Sequence, residues 1–241
     1  VEALKPTLYT APLFIGDCYY LLNQLDNAEA AFARAVEIDP NRETAYRYWG
    51  DALMKTGKME EARSKFIEAV VAEPYKALPW NGLKQWAMFN NKQIGHLKFR
   101  IPVSILPDGT IRVDENTLDV KDGTQGWLTY YGLIRNLWRK EIFPKTYPDE
   151  SQYRHSLPEE CDAIRIMLQG INDQISKGEL KSSDIDGPIQ FLMKLNSEGL
   201  LEAYVLLALA DEAIIEDYEL YRKDNREPIG RYLDLYAIHD K

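Results

Sequence analysis

Histidine and cysteine, two residue types that carry out acid–base, nucleophilic or metal chemistry, are few in this sequence and widely spread. The three histidines and two cysteines are His96, His155, His239, Cys18 and Cys161. Only His155 has several ionisable neighbours, because it follows Tyr153 and Arg154 and precedes Glu159 and Glu160. Since an imidazole titrates near neutrality, His155 is the candidate acid or base if the chain has an acid–base site.

No paired nucleophile accompanies His155 in the sequence. The chain also lacks a glycine-rich phosphate loop, a metalloprotease helix and a nucleophile elbow. We therefore predict no catalytic residue and expect a protein that is not an enzyme.

A run of carboxylates near the C-terminus is a candidate for a divalent metal. It consists of Asp211, Glu212, Glu216, Asp217 and Glu219. Glu212 and Glu216 would share a helix face, because residues at this spacing lie one above the other on a helix. A solvated acidic face is the far commoner meaning of such a run, so we predict that the run is solvated. We expect neither a metal site nor a cofactor.

The composition excludes several classes of protein. The 241 residues include 38 Asp and Glu against 29 Lys and Arg, a formal net charge of −9. Binding to a nucleic-acid backbone needs clustered positive charge, so we predict no nucleic-acid partner. No apolar stretch approaches the roughly 20 residues of a membrane helix, and we predict no membrane span. Two cysteines are too few for a disulfide scaffold, and we expect two free thiols.

These residues predict neither a compartment nor an oligomeric state. The chain begins with Val1 instead of Met, which indicates a processed product or a piece of a longer protein. A cytoplasmic and an exported protein both agree with this start.

An internal repeat organises the first part of the chain. When residues 7–40 are laid on 41–74, nine of the 34 pairs are identical, whereas unrelated stretches would share about two. The identical pairs are Thr10/Thr44, Ala11/Ala45, Gly16/Gly50, Asp17/Asp51, Ala28/Ala62, Phe32/Phe66, Ala35/Ala69, Val36/Val70 and Pro40/Pro74. Small residues at fixed positions let helices approach closely, and the phenylalanine fills the space that they frame.

These residues resemble the tetratricopeptide repeat, a helix–turn–helix unit of the same length. The second unit carries nearly the full pattern, with Tyr46, Trp49, Gly50, Leu53, Gly57, Ala62, Phe66, Ala69 and Pro74. The first unit matches with Ile15, Gly16, Tyr19, Ala28, Phe32, Ala35 and Pro40, although Pro12 replaces the usual aromatic residue. A third unit opens with Trp80, Leu83 and Ala87 and then departs from the pattern. The resemblance covers about residues 7–90 and implies two and a half stacked units of an α-solenoid.

The resemblance also implies a concave groove, lined by the first helix of each unit, where peptide segments dock. Helical spacing places eight candidate ligand contacts on that edge: Leu13, Asp17, Tyr20, Arg47, Asp51, Met54, Lys55 and Gln85. Asp17 and Asp51 stand where the best-known groove of this family uses Asn to clamp a terminal carboxylate. Like charge would repel such a tail, so we predict a ligand with a basic or apolar docking segment. The alternative is that Arg47 and Asp51 form an ordinary ion pair within one helix.

The rest of the chain divides into a short β region and a helical domain. Alternating apolar and polar residues over 97–105 and 110–114 flank the turn Pro107-Asp108-Gly109, which predicts a β-hairpin. Apolar stripes then predict helices, and Ser156 with Glu159 has the spacing of a capping box. We expect a loop over Phe143–Gln152 and helices over 188–197, 200–223 and 228–238.

The predicted fold is mainly α, with three regions. They are a tetratricopeptide-repeat domain over 1–96, a β-hairpin and linker over 97–123, and a helical domain over 124–241. The predicted function is a non-enzymatic adaptor or scaffold that binds a protein or peptide ligand. One alternative is an enzyme or enzyme regulator whose active part is the C-terminal domain, with repeats for recruitment. Another is a structural role in which the hairpin fills the groove.

Overall fold

The computed structural model describes residues 8–98, 101, 103–106, 110–113, 125–185 and 187–241. It forms two compact units, the first made of Val1–His96 with Ile229–Lys241 and the second of Leu97–Pro228. The predicted turn Pro107-Asp108-Gly109 and most of the linker lie outside the described residues.

The first unit is built from two helix pairs and a fifth helix, as the repeat predicts. The helices are α1 (Thr10–Leu21), α2 (Leu25–Ile38), α3 (Glu43–Lys55), α4 (Met59–Ala72) and α5 (Ala77–Phe89). The turn between α3 and α4 has Gly57 at φ 79°, a conformation that glycine adopts without steric cost. These helices confirm the predicted solenoid of two and a half units.

The helices of each pair meet at a glycine. A Cβ placed on Gly16 would lie 2.4 Å from the Phe32 ring, and one on Gly50 would lie 2.8 Å from the Phe66 ring. Both rings are fully buried. Gly82 of α5, which corresponds to Tyr48 in the repeat, also faces Phe66, since a Cβ placed there would lie 2.8 Å from that ring. The spacing of Gly and Phe in the sequence therefore predicts the helix contacts correctly.

The C-terminal residues return to the repeat unit. The strand β1 (Lys92–Ile94) pairs antiparallel with the last strand, β4 (Ile238–Asp240). An ion pair supports this ladder, with the Lys92 Nζ 2.6 Å from an Asp240 carboxylate oxygen. This grouping differs from the sequence-based division, which assigns these last residues to the helical domain.

The second unit contains the predicted β-hairpin. Its strands β2 (Val103–Ile105) and β3 (Ile111–Val113) are antiparallel, with Ser104 opposite Arg112. The hairpin packs against α6 (Gln125–Leu137), where Val103 and Ile111 lie over Gly132. Val103 and Ile111 are thus half-buried within the second unit.

The remaining described elements are helical. They are α7 (Phe143–Thr146), α8 (Leu157–Lys177), α9 (Gly187–Ser197), α10 (Leu201–Tyr204), α11 (Glu212–Ile215), α12 (Tyr218–Asp224) and α13 (Arg226–Tyr232). π-Helical turns continue α6 over Trp138–Ile142, α10 over Val205–Leu209 and α13 over Leu233–Ala237, and a 3₁₀ turn covers Ser182–Asp184. The predicted C-terminal helical region is confirmed.

Two local predictions in this region are wrong. The expected loop over Phe143–Gln152 begins with the helix α7, because Pro144 occupies its first turn, where proline is tolerated. The expected long helix over 200–223 is broken, because Ala210 is extended at ψ 130° and Asp211 starts α11 by capping it.

The predicted capping box at the start of α8 is also wrong. Ser156 has the extended backbone of an N-cap residue, but its side chain makes no capping hydrogen bond. Instead, Asp217 accepts a hydrogen bond from the Leu157 amide at 2.7 Å. Glu159 forms an ion pair with Arg135 instead, and its carboxylate lies 3.0 Å from the Arg135 guanidinium.

Gly50→Ala should destabilise the first unit. The new Cβ would overlap the Phe66 ring, and overpacking of this kind costs about 1–3 kcal/mol, which exceeds the gain of about 1 kcal/mol in helix propensity. We expect a lower free energy of unfolding in urea, followed by circular dichroism.

Gly230→Ala is the matched control, because Gly230 is also helical but a Cβ added there would meet only Ile67, at an ordinary contact distance of 3.7 Å. It should stabilise the protein by about 0.5–1 kcal/mol. Equal effects of the two substitutions would contradict the packing account.

Candidate functional site

Five of the eight predicted groove residues lie together where α1 meets α3. We call this set the aspartate patch: Asp17, Tyr20, Arg47, Asp51 and Lys55. The charge of Arg47 interacts with both aspartates, and the charge of Asp51 interacts with Tyr20. The Lys55 Nζ lies 4.6 Å from the centre of the Tyr20 ring. The patch exists because the repeat places equivalent positions of successive units on adjacent helices.

The two cations of the patch have partners other than the aspartates. The Arg47 Nε lies 2.9 Å from a Glu43 carboxylate oxygen, and its guanidinium lies 4.8 Å from the Tyr48 ring centre. Burial lowers the pKa of Arg47, but the hydrogen bond and charge of Glu43 raise it overall. The alternative prediction of an Arg47–Asp51 ion pair is therefore wrong, because Arg47 turns toward the preceding turn of its helix.

The two aspartates are left without a cation in contact. Within the described part of the chain, neither the Asp17 nor the Asp51 carboxylate forms a hydrogen bond or an ion pair. Burial raises the pKa of each carboxyl above its ordinary value of 3.8, and the charge of Arg47 opposes this only in part. Both groups are thus partly desolvated negative charges that Arg47 compensates only in part.

The other three predicted contacts differ in setting. Leu13 is buried in the core with Phe32 and Ala35, so it offers little surface to a ligand. Met54 is half-buried on α3, and Gln85 is exposed on α5. No described contact joins these two residues to the patch, and their part in binding stays a prediction.

A second cluster of ionisable groups surrounds His155 in the second unit. Its Nδ1 lies 2.8 Å from an Asp211 oxygen and its Nε2 lies 3.0 Å from a Glu160 oxygen. Tyr131 donates a hydrogen bond to the same Glu160 oxygen at 2.6 Å. The sequence points to Glu160 as a neighbour, but it carries no local signal for Asp211, which lies far along the chain.

The carboxylates of Asp211 and Glu160 favour the protonated, charged form of His155. Burial lowers the pKa of His155, but the hydrogen bonds of Asp211 and Glu160 raise it overall above 6.5. Burial raises the pKa of Asp211, yet the His155 hydrogen bond and two backbone amides lower it to about 2. This arrangement is an ion-paired bridge between the start of α8 and the start of α11.

The acidic run near the C-terminus is only partly solvated, contrary to prediction. Asp217 is buried, and it accepts hydrogen bonds from Arg154 at 2.7 Å and from the Tyr147 hydroxyl at 3.2 Å. Glu216 is exposed, although it lies 3.3 Å from Arg154. Among the residues that the structure describes, no group of three or more His, Cys, Asp or Glu is placed to hold a metal ion.

Comparison with known proteins finds one similarity, within the first unit. A family model described as Tetratricopeptide repeat matches residues 13–42, which contain most of α1 and all of α2. No curated protein and no solved structure matches the chain. Residues 13–42 are therefore similar to a tetratricopeptide repeat, which is in general a protein-interaction module. In the described ranges, no helix combines the length and apolarity needed to cross a bilayer.

The stability of the second unit should fall as the pH rises above neutrality. A folded-state pKa of His155 above its unfolded value of about 6.5 stabilises the fold below that pH, and this contribution is lost as the pH rises through the folded value. In acid, the lowered pKa values of Asp211 and Glu160 produce the opposite loss as these groups are protonated. The free energy of unfolding, measured from pH 4 to 9, should therefore be highest between about pH 4.5 and 6.5.

His155→Gln should remove the decline above pH 6.5. His239→Gln is the control, because His239 is exposed in the other unit and should leave the decline in place. A decline that persists in His155→Gln would contradict the bridge.

Proposed function

We propose that this chain is a non-enzymatic adaptor that binds a peptide segment through the aspartate patch. The observation that carries the proposal is the pair of carboxylates, Asp17 and Asp51, which lack a cation in contact within the described part of the chain. A lysine or arginine of a partner would supply the missing charge. We therefore propose a basic residue at the centre of the docking segment.

The energetics support a cation as the ligand group. Burial of an unpaired carboxylate is unfavourable, and the raised pKa of Asp51 reports that cost. A partner's ammonium or guanidinium would offset the cost only in the complex. The unbound protein would therefore bear the cost of the unpaired carboxylate, and binding of the cation would remove it.

An apolar contact beside the patch would complete the docking site. Met88 and Phe89 are exposed at the end of α5, on the edge that continues the helical register of Gln85. An exposed pair of large apolar side chains is typical of a binding surface. We propose that the segment places an apolar residue here and its basic residue at the aspartates.

The geometry of His155 favours the adaptor over an enzyme centred on the second unit. Both ring nitrogens are within 3.0 Å of carboxylate oxygens. A general base needs a nitrogen within hydrogen-bond reach of the substrate proton, and neither nitrogen of His155 is available for this. The bridge instead serves to hold two helices together.

Asp17→Asn with Asp51→Asn should weaken the binding of basic peptides at least tenfold. Isothermal titration would use a peptide selected from a library that varies one central position among Lys, Arg, Asp, Glu and Leu. Loss of a charge-assisted contact costs about 1.5–3 kcal/mol, which corresponds to that factor or more. A matched control is Asp149→Asn with Asp173→Asn, two exposed aspartates of the second unit whose substitution changes the net charge by the same amount.

Preference of the library for acidic peptides would overturn the proposal. Equal losses of affinity in the patch variant and in the double control variant would also overturn it, because binding would then follow net charge alone.

Asp51→Asn alone should raise the stability of the unbound protein while it lowers affinity. An amide at this position removes the cost of a desolvated charge, and we expect a gain of about 0.5 kcal/mol in the free energy of unfolding. An aspartate that serves only the fold would give a loss in the same urea titration.

A further inference from the structure

Asp51 has a basic residue about one helical turn away on each side along α3. Arg47 stands four residues before it and Lys55 four residues after it. Residues at this spacing are neighbours on a helix surface, and an acidic residue followed four positions later by lysine is the favoured order for an ion pair. The sequence of α3 therefore favours a paired Asp51.

Neither of these cations is in contact with Asp51, because each lies on a tyrosine ring instead. The Lys55 Nζ lies 4.6 Å from the centre of the Tyr20 ring of α1, and the Arg47 guanidinium lies 4.8 Å from that of Tyr48. Both distances are within the range of cation–π interactions. The rings thus compete with the carboxylate for the basic side chains.

The two basic residues differ in how firmly they are held. Arg47 is fixed a second time, since its Nε lies 2.9 Å from a Glu43 carboxylate oxygen. Lys55 is exposed, and among the residues that the structure describes it forms no ion pair besides its ring contact. Because a lysine side chain is long and flexible, loss of the Tyr20 ring would let Lys55 turn toward Asp51.

Asp17, the equivalent aspartate of the first repeat, needs no such contact. The residues four positions before and after it are Leu13 and Leu21, so α1 offers it no cation. The two aspartates are therefore unpaired for different reasons. One has no basic neighbour on its helix, and the other has basic neighbours that aromatic rings hold away.

The repeat does not require a tyrosine at the position of Tyr20. Met54 and Met88 occupy the equivalent positions of the second and third units. A methionine is also apolar, but it lacks the negative ring face on which an ammonium group can lie. Packing of the repeat therefore does not account for the ring, whereas the contact with Lys55 does.

We propose that Tyr20 is a positioning residue, whose ring holds the Lys55 ammonium away from Asp51 and keeps that carboxylate free for the basic residue of a partner. The last part of this statement rests on the proposed function. With the ring in place, the partner's cation meets an unpaired carboxylate. Without the ring, it would first have to displace Lys55.

Tyr20→Leu should weaken the binding of the basic peptide selected from the library about three- to fivefold, as expected for competition with an exposed ion pair. In the Lys55→Met background, Tyr20→Leu should change the affinity less than about 1.5-fold, because no lysine is then left to pair with Asp51. Isothermal titration of the full chain, the two single variants and the double variant measures this difference. An equal loss of affinity with and without Lys55 would overturn the proposal.

Two controls isolate the ring contact. Tyr20→Phe keeps an aromatic face for the ammonium group and should retain the affinity of the unsubstituted chain. Lys84→Met removes the charge of an exposed lysine of α5, and Tyr20→Leu should keep its full effect in that background.

The pKa of Asp51, measured by NMR of its carboxyl carbon, tests the positioning of Lys55 without a peptide. An ion pair favours the charged carboxylate, so Tyr20→Leu should lower this pKa by about 0.5–0.7, and Lys55→Met should abolish the change. An unchanged pKa in Tyr20→Leu, or a fall that persists in the Lys55→Met background, would contradict the role of Tyr20. If the pKa falls as expected and no basic peptide binds, the proposed function fails and the positioning of Lys55 stands.

Discussion

The contact between a phenylalanine ring and a glycine on the facing helix is the constraint on which the first unit depends. Phe32 occupies the space where Gly16 lacks a side chain, and Phe66 does the same for Gly50. Because the ring fills that space, the contact fixes both the distance between the two helices and the rotation of each helix about its own axis. The two aspartates of the patch directly follow the two glycines, so the same packing that joins the helices brings the carboxylates to one edge. The aspartate patch is thus a consequence of the core.

Elements that a repeat or a local pattern defines are predictable from the sequence, whereas contacts between residues far apart in the chain are not. The helix pairs are predictable because Gly16/Gly50 and Phe32/Phe66 recur at a fixed interval, and the positions of the aspartates follow from helical register. The return of the C-terminal residues to the repeat unit is not predictable, because β1 and β4 are too short to show an alternating pattern. Their pairing joins residues that are 148 positions apart, such as Lys92 and Asp240, for which the sequence carries no local signal.

Charged residues in the second unit show why a local motif can mislead. Ser156 and Glu159 have the spacing of a capping box, and spacing is all that the sequence shows. Arg135 is largely buried and needs an anion, so Glu159 pairs with it, while Asp217 binds the free amide of Leu157. Neither pair is local in the sequence. A buried charge selects its partner by distance in the fold, and the stronger tertiary contact displaces the local one.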